Sequence, residues 1–303
     1  MSLSRLRTFI EVYRQKSISA AARSLELTQP AVSQHIAALE ATLGRRLFVR
    51  ESQGVTPTAA ADELAADVGD KLDAAEAALA SAQARSQAVA GTLQLIGHVD
   101  FLADVVAAQL VHLLEAGVRV RMRPGDREVI EQRLIAGDCE LGISASASTD
   151  SRLRCEAIRA ERAVAVASPA VAARIRAAAD LKAGLIAQPL LAYSLDLTLI
   201  DQWLATNGME LLPISPALIG QDLRSLRSVA RSGYGWTVLP DYMCRDSLAR
   251  GELVEIPAPV GATSINYYLV WTPIALRQPR VAYALQTLLW RLAARQLDDV
   301  DLV

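Results

Sequence analysis

Residues 17–50 read SISAAARSLELTQPAVSQHIAALEATLGRRLFVR and contain the signals of two short helices joined by a tight turn. Ser19 is placed to cap a first helix that continues to Leu25 through small alanines, which allow a neighbouring helix to approach closely. Thr28 is a candidate cap of the second helix, and Pro30 lies in its first turn, where the missing N–H costs no hydrogen bond. The apolar face of this second helix consists of Val32, Ile36, Leu39 and Leu43. The stretch therefore predicts a helix-turn-helix unit.

The start of the second helix places the polar side chains Gln29, Ser33 and Gln34 on its exposed side. Amides and hydroxyls at this end of such a helix match the hydrogen-bonding edges of bases in the major groove of DNA. A helix before the pair has an apolar face of its own, formed by Leu3, Leu6, Phe9, Ile10 and Tyr13. We therefore interpret the polar residues as base readers, with a merely solvated surface as the alternative.

Two short strands are predicted after the helix pair. Gly44 ends the second helix, and the runs 47–50 and 54–56 have the pattern of two strands of a wing. Arg50 and Gln53 lie near the tip of this wing. Arg50 in that position is expected to pair with a DNA phosphate, and bracing the wing against the acidic helix that follows is the alternative.

The charge is divided unevenly along the chain. The 303 residues are 52% hydrophobic and 21% charged, which is typical of a globular protein with two or three domains. Residues 1–60 contain eight Lys and Arg against four Glu, so this segment has a net charge of +4. Because the whole chain has a net charge of −2, the remainder has −6. A basic end on an acidic body indicates that the N-terminal part meets a polyanion.

Residues 59–90 are rich in alanine and almost free of glycine. Their apolar residues recur at steps of three and four, which predicts one helix of roughly 45 Å with a narrow apolar stripe. Acidic residues back the stripe, so a second copy of the same helix is the favoured partner, and packing on its own chain is the alternative. The predicted dimer contacts are Leu64, Val68, Leu72 and Leu79.

From Gly91 onward, predicted strands and helices alternate, which indicates a parallel sheet covered by helices. The segment 184–187 is among the predicted strands. Two crossing segments, Ala163–Ser168 and Asn266–Trp271, divide this half into two lobes with a cleft at the carboxyl ends of the strands. The first lobe comprises residues 91–162 and 272–303, and the second comprises residues 169–265.

The first sixty residues contain one set of residue types at defined spacings. The set consists of Phe9, Ser17, Ala21, Ala22, Leu25, Gln29, Pro30, Ala31, Val32, Ser33, Ile36, Leu39, Glu40, Leu43, Gly44, Leu47, Phe48, Val49, Arg50, Thr58 and Ala60. In these positions the chain closely resembles the LysR-type transcriptional regulators. Ala61 departs from the pattern, because the family usually has glycine at this position.

The resemblance implies an α/β protein of three parts. These are an N-terminal winged helix-turn-helix domain (1–58), a long linker and dimerisation helix (59–90) and a C-terminal two-lobed α/β effector-binding domain (91–303). The last part would resemble the periplasmic binding proteins. By the same resemblance, the chain is expected to be a sequence-specific transcription regulator of the bacterial cytoplasm, associated with the nucleoid and controlled by a small-molecule effector.

The partners implied by the resemblance are double-stranded DNA, a second copy of the chain and RNA polymerase. The DNA site would be an interrupted palindrome, and the protein would bind it as a homodimer or as a tetramer built of two dimers. The residues expected to contact DNA are Thr28, Gln29, Pro30, Ser33, Gln34, Arg50 and Gln53.

The effector is expected to bind in the cleft between the lobes. The residues that the resemblance places there are His98, Val99, Asp100, Asp126, Tyr193, Ser194 and Asp222. Asp100 and Asp126 have an alternative role as helix caps, and Tyr193 has one in core packing. If several of the aspartates, including Asp196, face the cleft, they favour an effector with amine or hydroxyl groups over a bare carboxylate.

The sequence gives little support for catalysis. Its three histidines are dispersed, and no metalloprotease, serine hydrolase or phosphate-binding loop motif is present, so we expect no catalytic residue, metal or cofactor. Three separated cysteines indicate a reducing cytoplasm. No run of about 18 apolar residues occurs, and the first twenty residues lack a signal-peptide pattern, so neither a membrane span nor a signal peptide is expected. The competing hypothesis is a receptor or enzyme whose N-terminal module serves only for interaction.

Overall fold

Three helices and a two-stranded hairpin form the N-terminal part of the computed structural model, which describes residues 3–51, 54–86, 89–194, 198–210 and 212–298. Phe9, Val32 and Leu39 are fully buried in one apolar core, so the predicted helix faces are the packed ones. The elements are α1 (Leu3–Gln15), α2 (Ile18–Ser24), α3 (Gln29–Leu43), β1 (Phe48–Glu51) and β2 (Gly54–Pro57).

The helix ends follow the capping rules, with one shift. The Thr28 hydroxyl accepts a hydrogen bond from the Ala31 amide at 3.3 Å and caps α3, as predicted. Gly44 has φ = 65° and ends the same helix in the left-handed conformation. The cap of α2 is Ser17, which accepts from the Ala20 amide at 3.2 Å, so the assignment of the cap to Ser19 is wrong by two residues.

The wing is fixed to the helices by two contacts. Glu40 of α3 accepts hydrogen bonds from the amides of Leu47 and Phe48 at 2.7 and 3.2 Å. At the start of β2, Gly54 has φ = 150°, and a Cβ atom there would lie 2.6 Å from the Lys16 carbonyl oxygen. Only glycine allows this close approach, which lets the Val55 amide donate to the same oxygen.

The linker is a single helix, α4 (Ala59–Ser86), as predicted, but its stripe is divided between two environments. Leu72 is 7% exposed and belongs to the N-terminal core, and Leu64 and Val68 are half-buried against the same core. Leu79 is 61% exposed. Leu64, Val68 and Leu72 therefore pack on their own chain, which is the alternative that the sequence left open, and Leu79 is the exposed member of the four predicted dimer contacts.

The C-terminal half is built on one nine-stranded sheet. The strands follow the order β4-β3-β5-β11-β6-β9-β7-β8, and β10 pairs with β6. Neighbouring strands within each lobe are parallel in the pairs β3–β4, β3–β5, β7–β8 and β7–β9. The strands are β3 (Gly91–Gly97), β4 (Val118–Pro124), β5 (Leu141–Ser144), β6 (Arg154–Ala167), β7 (Leu190–Ala192), β8 (Pro216–Ile219), β9 (Trp236–Pro240), β10 (Val254–Glu255) and β11 (Thr263–Trp271).

Helices cover the sheet and fill the connections. They are α5 (Val99–Phe101), α6 (Val111–Glu115), α7 (Arg127–Ala136), α8 (Pro169–Arg176), α9 (Leu181–Ile186), α10 (Thr198–Thr206), α11 (Leu223–Arg231), α12 (Asp241–Ala249) and α13 (Pro279–Asp298). A π-helical turn (Leu102–Val106) and a 3-10 turn (Ala107–Leu110) join α5 to α6. None of the described helices has both the length and the apolar character needed to cross a membrane.

One predicted strand is a helix. The segment 184–187 belongs mostly to α9, whose N-cap Asp180 accepts from the Ala183 amide at 2.8 Å. The strand in this part of the chain is β7, which follows α9, so the predicted strand coincides with the end of a helix. A short apolar run between two turns does not distinguish a buried helix from a buried strand, which explains the error.

Two long antiparallel strands connect the lobes. β6 and β11 pair from Thr263 opposite Ala163 to Trp271 opposite Arg154, with an irregularity between Tyr267 and Tyr268. The first predicted crossing segment covers only the end of β6, whereas the strand itself begins at Arg154. Their neighbours on either side are β5 and β9, so the cleft between the lobes opens over these two strands.

Acidic side chains of α4 bind arginines of the N-terminal helix α1 and of the first lobe. Asp73, only 11% exposed, lies 3.3 Å from Arg7 and 2.5 Å from Arg14, both of α1, and 3.4 Å from Arg154 of β6. Glu76 accepts from Arg7 Nε at 2.8 Å and from Arg277 Nε at 3.2 Å. We call these residues the linker hub.

Burial and the nearby Arg277 lower the pKa of Arg7 to about 10, so its guanidinium is still charged at neutral pH. The guanidinium of Arg7 is 4% exposed and depends on the hub carboxylates for its charge partners. The hub therefore joins the helix-turn-helix, the linker and the first lobe through paired charges that solvent screens only weakly.

The hub predicts a strong stability effect of Asp73→Asn. Removing the carboxylate leaves buried arginines without their counterion, and we expect the free energy of unfolding to fall by about 3 kcal/mol. Asp67→Asn, on an exposed position of the same helix, is the matched control and is expected to change it by less than about 0.5 kcal/mol. Urea denaturation followed by circular dichroism measures both, and equal midpoints for the two variants would contradict the assignment.

Candidate functional site

The first turn of α3 forms an exposed polar surface at one end of the molecule. Thr28, Gln29, Pro30 and Gln34 are exposed, and Ser33 is half-buried. The rest of the helix is held by the core through Val32, Ile36 and Leu39. The structure thus brings together at the start of α3 the five residues that the sequence predicted there, on a helix whose apolar residues are buried in the core.

The remaining predicted contacts lie on or beside the wing. Arg50 is exposed on β1, opposite Val55 of β2. Gln53 lies outside the described residues. His35, next to Gln34, has its Nδ1 atom 2.8 Å from the Thr8 hydroxyl, which itself donates to the Ser4 carbonyl oxygen. His35 therefore contributes to the packing of α1 against α3.

The basic residues of the N-terminal segment have two different roles. Arg7 and Arg14 are buried in the linker hub and do not face outward. The exposed basic side chains of this segment are Lys16, Arg23, Arg45, Arg46 and Arg50. The division into a hub set and a surface set is not visible in the sequence, because it depends on the acidic partners supplied by α4.

A cavity of about 850 Å³ lies between the lobes, over the crossing strands. Five of the seven predicted effector residues line it, namely His98, Asp100, Asp126, Tyr193 and Ser194. Val99 and Asp222 are not among the lining residues, so their direct placement in the cavity is wrong. Asp222 instead caps α11, accepting from the Arg224 amide at 2.9 Å, while its neighbours Gln221 and Leu223 reach the cavity.

The sequence did not predict several of the residues that line the cavity. The cavity is also lined by Ser146 after β5, Gln202 of α10, Thr237 of β9 and the crossing-strand residues Tyr267 and Tyr268. A usable signal existed for the tyrosines, because a crossing strand at the floor of a cleft must expose part of its length to it. Thr237 gave no such signal, since it lies within an apolar strand.

Asp126 has the double role that the sequence left open. Its carboxylate accepts from the Val129 amide at 3.1 Å and caps α7. The residue is half-buried and still lines the cavity. Asp126 is therefore both the cap of α7 and a residue that lines the cavity.

Asp100 bridges the two lobes. Its side chain is in lobe one and 2% exposed, yet its Oδ2 accepts from the Leu223 amide at the start of α11 in lobe two, at 3.4 Å. Arg224 Nε is 3.7 Å from the other oxygen, Oδ1. Asp100 is thus not a cap of its own helix, and the cap alternative is wrong.

The Asp100 and Asp222 carboxyls share a hydrogen bond and titrate differently. Burial, reinforced by the hydrogen bond to Asp222, raises the pKa of Asp100 to about 7. The hydrogen bond from Arg224 lowers the pKa of Asp222 to about 2. The pair therefore holds one proton, on Asp100, over most of the acidic range.

His98 and Tyr193 face each other across the cavity. Their rings are edge to face, with centroids 6.5 Å apart. Burial lowers the pKa of His98 and raises that of Tyr193, so both side chains are uncharged at neutral pH. Among the described residues, no cluster of three or more His, Cys, Asp or Glu side chains is suited to hold a metal ion.

Two family models match the chain and together span most of it. The lysR family model of bacterial regulatory helix-turn-helix proteins matches residues 3–62, and the LysR substrate binding domain model matches residues 87–293. The HTH-type transcriptional regulator AbaB of Streptomyces antibioticus is 34% identical over 294 residues, which cover 94% of this chain and 96% of that protein. TrpI of Pseudomonas aeruginosa, also an HTH-type transcriptional regulator, is 28% identical over 295 residues, 96% of this chain and 98% of that protein.

Solved structures show the same architecture. CrgA, a LysR-type transcriptional regulator of Neisseria meningitidis, superposes with a TM-score of 0.60 at 21% identity, over 96% of this chain and 99% of that chain. LysG of Corynebacterium glutamicum, with bound effector Arg, has a TM-score of 0.54 at 19% identity, over 94% of this chain and 99% of that chain. The winged helix-turn-helix, the linker helix and the two-lobed domain, together with these matches, show that the chain belongs to the LysR family of bacterial transcriptional regulators.

Proposed function

We propose that this regulator reads an interrupted palindrome in double-stranded DNA with the first turn of α3. The observation that supports the proposal is the contrast along that helix: Gln29 and Gln34 near its start are exposed, whereas Val32 and Ile36 are buried in the core. Such an arrangement presents amides to base edges without loss of helix order. Arg50 on the wing would add a contact to a phosphate.

The cavity between the lobes is the proposed effector site. It is large enough for a metabolite, and polar groups from both lobes converge on it. LysG, which has the same fold, is solved with Arg as its effector. A small molecule in this position would bind both lobes and favour one closure of the domain over another.

Two reading heads are needed for a palindrome, and we propose that α4 supplies the contact between copies. Leu64, Val68 and Leu72 are occupied by the N-terminal core of their own chain, which leaves Leu79 as the exposed part of the predicted stripe. We propose the same division of labour along the chain: residues 1–58 bind DNA, residues 59–90 join two copies, and residues 91–303 bind the effector. Changes in transcription would then require contact of the bound oligomer with RNA polymerase.

The reading role of α3 is tested by Gln29→Ala. We expect loss of sequence preference at one or two positions of each half-site and a binding cost of about 1–3 kcal/mol, because a bidentate amide contact is removed. Binding to sites selected from a random DNA library, followed by sequencing, measures both quantities. Thr42→Ala, exposed at the other end of the same helix, is the control and should retain the preference. Unchanged affinity and preference in Gln29→Ala would refute the groove assignment.

The assembly role of α4 is tested by Leu79→Asp. A charge at this exposed apolar position should shift the protein toward monomers in sedimentation velocity while leaving the thermal transition of the chain nearly unchanged. Ala74→Asp, exposed on another side of the helix, is the matched control. Leu72→Asp differs from both, because it places a carboxylate in the N-terminal core and is expected to lower stability first. An unchanged mass for Leu79→Asp would place the interface elsewhere.

A further inference from the structure

Oγ1 of Thr237, in a residue that is 1% exposed, has no hydrogen-bond partner within the described part of the chain. Oδ1 of Asp100, in a residue that is 2% exposed, accepts no hydrogen bond from an N–H group of the described residues; Arg224 Nε lies 3.7 Å from it, and the Asp100 carboxyl shares its proton with Asp222. Both residues line the cavity between the lobes, one from lobe one and the other from lobe two. Because a buried polar atom without a partner destabilises the folded protein, Oγ1 of Thr237 indicates a missing partner of complementary chemistry.

The charges around the cavity favour a cation. Asp126 and Glu128 line it together with Asp100, which becomes charged when it loses its proton. Arg127 is the arginine that lines the cavity among the described residues, and Arg224 lies outside the lining, 3.7 Å from Oδ1 of Asp100. Arg127 is 48% exposed and lies 3.7 Å from Glu131, so it is partly neutralised from outside the cavity. His98 adds no positive charge, since burial lowers its pKa. A ligand carboxylate would therefore meet an excess of like charge, and a ligand cation an excess of opposite charge.

Aromatic side chains form part of the wall. Tyr193 lines the cavity from lobe two, and Tyr267 and Tyr268 line it from the crossing strand β11. The electron-rich faces of such rings attract organic cations, with a larger effect when the site is desolvated. Charge and wall chemistry thus indicate the same class of ligand.

We propose that the effector of this regulator is an organic amine whose ammonium group donates hydrogen bonds to Oδ1 of Asp100 and to Oγ1 of Thr237. The inference rests on the proposed function of the cavity and adds the chemical class of its ligand. An ammonium has three donors, which is enough for the carboxylate, the hydroxyl and one further acceptor. Because the two residues belong to different lobes, one ammonium group joins the lobes directly.

Ligand binding exchanges one positive charge for another. In the ligand-free protein Asp100 holds the proton that it shares with Asp222; the incoming ammonium replaces that proton, which passes to solvent. The ionised Asp100 then pairs with the ligand and keeps its bond to the Leu223 amide. Other titratable and charged groups that act on Asp100 are Asp222, Arg224, Tyr193, Tyr242 and Tyr267. The three tyrosines have raised pKa values and stay neutral, so the exchange concerns Asp100.

Matched pairs of probes test the ligand class on the full-length protein. The pairs are butane-1,4-diamine with butanedioate, 2-phenylethylamine with 3-phenylpropanoate, and glucosamine with glucose. We expect at least one amine to raise the Tm at pH 7, since binding to the folded state stabilises it, and its partner compound to have no effect. Calorimetry of that amine at pH 6 in two buffers of different ionisation enthalpy should show the release of about one proton per site.

Three variants assign the effect to the proposed atoms. Asp100→Asn and Thr237→Val should each weaken binding of the amine at least tenfold, whereas Asp104→Asn, an exposed carboxylate on the same helical segment, should bind as the wild type does. Circular dichroism checks that the variants are folded. If Asp100→Asn does not fold, Thr237→Val alone tests the assignment.

The inference is overturned if no amine of the panel raises the Tm, if an acid or neutral compound raises it more than its amine partner, or if the amine binds the folded Asp100→Asn and Thr237→Val variants as tightly as the wild type. A carboxylate that binds in the cavity would overturn the ligand class and leave the proposed function intact. Loss of the proposed function would be seen separately, as an absence of sequence-selective DNA binding by the wild type.

Discussion

The carboxylate of Asp73 is the point on which the arrangement of the molecule depends. It lies on the linker helix, is almost completely buried, and pairs with arginines of the helix-turn-helix and of the first lobe. A buried charge network of this kind is costly to break at any one member and has little tolerance for displacement. It therefore fixes the helix-turn-helix relative to the two-lobed domain within one chain.

With the proposed function of the cavity, this constraint connects the site between the lobes to the DNA-binding end of the chain. Arg154 begins β6, the strand that continues under the cavity and into the second lobe, and the same side chain reaches the hub through Asp70 and Asp73. Asp100 joins the lobes at the other side of the cavity. A ligand that changes lobe closure would act on β6, then on α4 and on the spacing of paired reading heads. The size of such an effect is limited by the difference in ligand affinity between the two closures, typically about 1–3 kcal/mol.

Local signals predicted the N-terminal part well. Thr28, Pro30 and Gly44 act on their immediate neighbours, so the bounds of α3 and the exposure of Gln29 follow from the sequence. The long helix α4 was also predictable, because its apolar period extends over many turns. Its partner was not, since the burial of Leu72 depends on where α1 lies in space.

The effector site was predictable only in outline. Loops at the ends of strands located His98, Asp126 and Tyr193, but the bridge from Asp100 to Leu223 joins residues that are far apart in the chain. Thr237 lies on an apolar strand that gave no sign of a polar site. The surroundings of Asp100 and Thr237 depend on how the two lobes pack against each other, and a local sequence pattern does not contain this information.

Charges on the linker helix hold the helix-turn-helix against the two-lobed domain. The most direct measurement is the distance distribution between spin labels at positions 37 and 115, exposed sites on α3 and α6, in protein whose native cysteines have been replaced. We expect one narrow distribution for the otherwise unchanged protein and a broad one when Arg154 and Arg277 are both replaced by Gln. The same narrow distribution in both proteins would contradict it.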